Sequence, residues 1–203
     1  MKSPSNTDRY VMGVDGISAT QNTNYGKTFG SKVGAFIMDR RTMQFVAMFY
    51  GRPETKEKFH EQILMAAEYY GCKVWIEKVA DSYYDFFRER GKMGYLGKYP
   101  LSVIPVEKRY DNPERLYGFP ISPFAMTCQL DKMVAYIEPD KITNSSYCET
   151  IMFDELLDQL LLFENDNRTT SDLVIAAMIT LCCALEPVNT HNKITVPLVR
   201  VYN

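Results

Sequence analysis

Histidine is scarce: the 203 residues contain two, His60 and His191, without the spacing of a zinc-ligand set. Cysteine offers no framework either. The five (Cys72, Cys128, Cys148, Cys182 and Cys183) form no C-x-x-C pair and are odd in number. This argues against disulfide scaffolding or a zinc knuckle and for reduced core thiols in a cytosolic protein. Long apolar runs are missing. The longest covers residues 173–185, includes Thr180 and is too short to span a bilayer, so it reads as a buried helix with no membrane role. The first residues, Met-Lys-Ser-Pro-Ser-Asn-Thr-Asp, are polar and do not resemble a signal peptide. Repeats, low-complexity tracts and linkers are also lacking, so residues 1–203 are expected to form one domain with room for a sizeable core.

Net charge is small, at -2, which leaves no global basic signature. The distribution is less even. Residues 1–115 carry 18 Lys/Arg against 14 Asp/Glu, and residues 116–203 carry 5 against 11. A nucleic-acid-facing surface is therefore expected mostly in the first half.

Residues 10–14 (Tyr-Val-Met-Gly-Val) read as a buried strand that ends at Asp15-Gly16, followed by a polar loop over 18–31. Two β-rich runs at 33–39 and 43–50 are joined by Arg40-Arg41-Thr42, a hairpin connection. Apolar residues at three- and four-residue spacing predict a helix over 55–70, stopped by Gly71. A fourth strand is expected over 72–79, a short helix over 81–90 and a fifth strand over 101–106. Helices follow at 122–137, 153–163 and 170–185. The order predicts an α/β domain. Its first three strands form an antiparallel meander, and the later strands, reached through helices, run parallel to the first.

Three carboxylates stand out in that order. Asp15 ends the first strand and Glu77 lies near the end of the fourth. As neighbours on parallel strands they would sit roughly 4.8 Å apart. Two ionised carboxylates so close repel unless a cation lies between them. Asp172 opens the last apolar helix, whose first turn can reach the same edge. An all-oxygen set of three suits two hard cations, Mg²⁺ or Mn²⁺. A pair of such ions about 3.5–4 Å apart is suited to hydrolysing a phosphodiester. Asp15, Glu77 and Asp172 are therefore the candidate catalytic and metal-binding residues. Taken singly, each also reads as a turn residue, a strand-end charge or a helix-start acid.

With these residues in view, the sequence resembles the C-terminal nuclease domain of the tailed-bacteriophage large terminase subunit. The resemblance rests on Val-Met-Gly-Val-Asp15-Gly-Ile-Ser, Val-Trp-Ile-Glu77-Lys and Thr-Thr-Ser-Asp172-Leu-Val-Ile-Ala-Ala, which follow the order and spacing of that family's three acidic motifs. Phe-Pro-Ile-Ser-Pro at 119–123 and the Leu-rich stretch at 153–164 add to it, and roughly residues 9–186 are covered. The resemblance implies a ribonuclease H-like fold, with a mixed sheet of five or more strands flanked by helices. It also implies an endonuclease that cuts concatemeric double-stranded viral DNA when packaging starts and ends. The implied partners are the terminase ATPase domain, the small terminase subunit and the portal protein, in the host cytoplasm at the procapsid portal. The family's ATPase half is not among these residues. Ser171 stands where the family often has a second acidic residue, and the segment at 165–171 is short where some members carry a longer excursion. Grip on DNA is expected instead from Arg88, Arg90, Lys92 and Lys98, a candidate basic strip.

Other readings share some of these features. Gly26-Lys27-Thr28 imitates the end of a phosphate-binding loop, but residue 21 is Gln where Gly is needed and a strand follows instead of a helix. An actin-like ATPase also opens on Asp-Gly, but no second Asp-x-Gly follows. Resolvases and transposases of the same fold share the chemistry, and the scaffold could also serve as a non-catalytic docking module for portal or capsid proteins.

Overall fold

The computed structural model describes residues 9–16, 32–77, 82–108, 116–165 and 171–186. Strands β1 (Tyr10–Val14), β2 (Val33–Asp39) and β3 (Gln44–Gly51) form the antiparallel meander. Helix α1 (Lys56–Tyr70) starts on Thr55, whose side chain accepts from the Lys58 N–H, and stops at Gly71 in the left-handed conformation. Strand β4 (Lys73–Ile76) then lies parallel to β1, giving the sheet order β3-β2-β1-β4. Helices α2 (Ser82–Glu89), α3 (Pro123–Ile137, capped by Ser122), α4 (Asp154–Leu161) and α5 (Asp172–Ala184) complete the fold. The loop expected at 18–31 and the helix start expected at Asp81 fall largely or wholly outside the described residues.

Among the described residues the sheet has four strands, not five or more. Residues 101–106, expected to be the fifth, form short 3₁₀ turns instead (Leu101–Val103 and the start of Val106–Lys108). Pro100 precedes this stretch and Pro105 lies within it, and neither supplies an N–H for a ladder. Two separate pieces take the place beside β4. Leu96 bridges Val74, and Phe119 bridges Glu77, both parallel. The N–H groups of Gly97 and Phe119 donate to the carbonyls of Val74 and Ile76 at 2.8 and 2.7 Å.

Side-chain alternation divides the core into two layers. Met12, Val14, Ala35, Ile37, Val74 and Ile76 face α1 and α2, whereas Val11, Phe36, Met38 and Trp75 face α3, α4 and α5. Counting by twos from Val11 and Trp75 puts Gly13, Asp15 and Glu77 on the α5 side. Helix α5 is apolar all round and buried along almost its whole length, because the sheet lies on one side and α3 and α4 on the other. Gly13 and Gly34 let it come so close. A Cβ on Gly13 would stand 2.4 Å from Thr180 Oγ1 and 2.8 Å from the Ala176 carbonyl oxygen. A Cβ on Gly34 would stand 2.8 Å from the Asp172 carbonyl oxygen. Among the described residues no helix is long and apolar enough to cross a membrane.

Candidate active site

Asp15 is placed by backbone contacts with both neighbouring strands. Its N–H donates to the Gly34 carbonyl at 2.9 Å, and the Glu77 N–H donates to the Val14 carbonyl at 3.1 Å. The β1–β4 register ends at Val14 opposite Ile76, so Asp15 and Glu77 leave the sheet side by side on the same face. Asp172 arrives on α5, whose first turn is pressed against Gly34. The Leu173 N–H donates to Gln159 Oε1 at 3.0 Å, and Gln159 Nε2 donates to the Tyr50 hydroxyl at 2.9 Å, which ties the start of α5 to α4 and β3. Gly34 thus sets two of the three acids, one by hydrogen bond and one by close approach.

The three carboxyls are brought together with Asp15 in the middle. Asp15 is 8% exposed. Burial raises its pKa well above the usual carboxylate value, and the charges of Glu77 and Asp172, both within hydrogen-bonding range, raise it further. Asp172 is also raised by burial, with partial relief from the Asp15 hydrogen bond and from the charge of Lys32. The charged form of Asp15 is therefore disfavoured, and no ion pair to Asp15 occurs among the described residues. Among those residues no group of three or more His, Cys, Asp or Glu already stands in a metal-holding arrangement. The acids are gathered but turned onto one another. Their chemistry fits a hard divalent cation: the donors are all oxygen, and beyond the partial relief from Lys32 their mutual repulsion calls for protons or an added positive charge.

Two polar side chains behind Asp15 carry no sequence signal beyond their presence in helices. The Tyr83 hydroxyl and His60 Nε2 are buried with no hydrogen-bond partner among the described residues, and their rings lie 3.9 Å apart. Tyr83 Cε2 is 3.9 Å from the position a Gly16 Cβ would take. Burial raises the Tyr83 pKa, with a further push from the Asp15 charge, and burial pulls His60 down to about 4. The strand-interior glycines did carry a signal, since an isolated glycine within a strand marks close backbone approach.

The basic strip does not stay together. Arg90 pairs with Glu61 at 2.9 Å and lies over Phe86, and Lys92 pairs with Glu68 at 2.6 Å, so both are turned toward α1. Arg88 pairs with Asp85 at 2.7 Å on its own helix and lies over Tyr84. Lys98 lies over the Tyr117 ring and makes no ion pair among the described residues.

No protein-family model and no curated protein matches the sequence. Solved structures do. The large terminase nuclease from thermophilic phage G20c superposes with a TM-score of 0.52 at 11% identity, covering 88% of this chain and 84% of that one. The same nuclease with bound zinc gives 0.53 at 11% identity, covering 88% and 83%. At that identity the likeness is one of fold. The mixed sheet flanked by helices is the ribonuclease H-like architecture of these nucleases, here with four strands.

Proposed function

Starting from a terminase-nuclease fold, we propose that this chain is a metal-dependent endonuclease that cleaves double-stranded viral DNA during genome packaging. Fold alone does not specify chemistry. The observation that carries the reading is the placement of Asp15 between Glu77 and Asp172 at the edge where β1 and β4 end. In this reading those three residues hold two divalent cations, Mg²⁺ or Mn²⁺. The neighbouring nuclease seen with bound zinc is consistent with a divalent site in this fold. When bound, such ions supply Lewis acidity for in-line hydrolysis of a phosphodiester.

The protein's own contribution is placement. Backbone bonds from Gly34 and Val14 fix Asp15 and Glu77, and the Gln159 bridge with the Gly34 contact fixes Asp172. Burial and the two neighbouring acids disfavour the charged form of Asp15, a cost that a bound cation would offset. The partners in this reading are double-stranded DNA, the terminase ATPase domain, the small terminase subunit and the portal protein, at the procapsid portal in the host cytoplasm. A nicking assay on supercoiled plasmid tests it. Nicking should appear with Mn²⁺ or Mg²⁺, stop with chelator and be lost in Asp15→Asn. Parental nicking by Asp15→Asn would remove the assignment.

A further inference from the structure

Tyr84, exposed, and Tyr117, half-buried, form an aromatic pair near the end of β4. Their rings are 5.8 Å apart and inclined at 53°, and Tyr84 is 40% exposed. Each ring carries a cation: Arg88 lies 5.5 Å from the centre of Tyr84, and Lys98 lies 5.7 Å from the centre of Tyr117. The pair is anchored to the end of β4. Lys98 and Tyr117 bridge each other, the Gly118 N–H donates to the Gly97 carbonyl at 2.8 Å, and Phe119, two residues after Tyr117, bridges Glu77. Trp75 Nε1 donates to the Lys98 carbonyl at 2.8 Å, holding that strip against the strand. On the other side Tyr84 follows Tyr83, whose ring reaches Gly16.

An exposed tyrosine ring beside a half-buried one, each with a cation upon it, suits one ligand chemistry above others: a flat nucleobase on the exposed face, with its phosphates against the cations. A base inside an intact duplex cannot stack there, because its faces are already covered. We propose that Tyr84 and Tyr117 form a stacking site for an unpaired base of the DNA substrate, with Arg88 and Lys98 taking the adjoining phosphates. The inference rests on the nuclease reading and adds a substrate class: duplex DNA with locally unpaired nucleotides next to the bond that is cut.

The test is a binding measurement in chelator, so that the acid cluster plays no part. Two short duplexes carry the fluorescent base 2-aminopurine, one fully paired and one with the base inside an unpaired bubble. The bubble probe should bind more tightly, and its fluorescence should be quenched by stacking. Tyr84→Leu and Tyr117→Leu should each weaken bubble binding by about tenfold and reduce the quenching, whereas the corresponding Phe variants should keep both. Lys98→Gln should weaken both probes alike and flatten the salt dependence. Thermal melts of the Leu variants check that they remain folded. Equal binding of the two probes, or unaltered binding by folded Leu variants, would overturn the stacking site. The two readings fail separately: Asp15→Asn should bind the bubble probe as the parent does, and plasmid nicking that persists without bubble preference would remove only the stacking site.

Discussion

Asp15 and Asp39 are both buried in the sheet, at opposite ends of β1. Asp39 pairs across the sheet with Tyr10, where the strand begins, and Asp15 follows Val14, where it ends. Asp39 is 2% exposed, accepts from Arg9 Nε at 2.7 Å and from the Arg41 N–H at 3.0 Å. Burial alone would raise its pKa, but the Arg9 and Arg41 contacts hold it below the ordinary value. Asp15 has the same side chain on the same sheet, but its nearest partners are two more acids, and its pKa moves up. The first end carries its own counter-charge and contributes to stability. The second is an electrostatic cost that an external cation can relieve, which is what a binding site requires.

Substitution by asparagine should separate the two ends most sharply. Asp15→Asn should lower cleavage by about a hundredfold or more, since it removes the central member of the acid set. It should also raise the melting temperature of the metal-free protein at neutral pH. A raised folded pKa means that Asp15 costs stability as pH rises from its unfolded value through its folded one, and Asn removes that cost. Asp39→Asn should do the reverse, lowering the melting temperature while leaving cleavage per folded molecule unchanged. The Asp39 contribution is present above the ordinary carboxylate pKa and fades as pH falls through the lowered one. Melts and plasmid nicking on both variants decide the matter, and matching signs would erase the distinction.

A smaller effect should come from the backbone that sets the functional end. Gly34→Ala drives a methyl against the Asp172 carbonyl and should cost about 1–3 kcal/mol in urea unfolding. Cleavage should fall further than that loss explains, because the start of α5 has to move. An Ala variant with parental activity would mean that Asp172 tolerates displacement.

His60 should make stability depend on pH. Its folded pKa of about 4 lies below its ordinary 6.5, so the unfolded chain takes up the proton first. Stability is then full above 6.5 and declines toward 4, by about 3 kcal/mol. His60→Phe should flatten that part of a pH series of urea melts. The smallest effect is expected at Tyr83. Its hydroxyl is buried without a partner among the described residues, so Tyr83→Phe should stabilise by about 1 kcal/mol.

How far residue patterns reached can be judged from particular elements. Helix α1 was readable because Thr55 and Gly71 mark its ends chemically. The convergence of Asp15 and Glu77 followed from the parallel pairing of β1 with β4, which the intervening helix implies, and from two-residue alternation within each strand. The fifth strand was misread because Leu-Ser-Val-Ile looks β-forming, although Pro105 in the same run argues against a ladder. What lies beside β4 comes from two segments some twenty residues apart, Leu96 and Phe119, and no periodicity along the chain reveals such a pairing. The four basic residues expected to line up are divided between separate partners for a similar reason. The carboxylates of Glu61 and Glu68 that draw Arg90 and Lys92 aside lie on another helix.

Manganese anomalous scattering from a crystal grown with Mn²⁺ addresses the acid cluster most directly. The account predicts peaks within coordination distance of the carboxylates of Asp15, Glu77 and Asp172, with the side chains turned from one another toward the ions. Acids still bonded to each other in saturating manganese, with no peak among them, would contradict it.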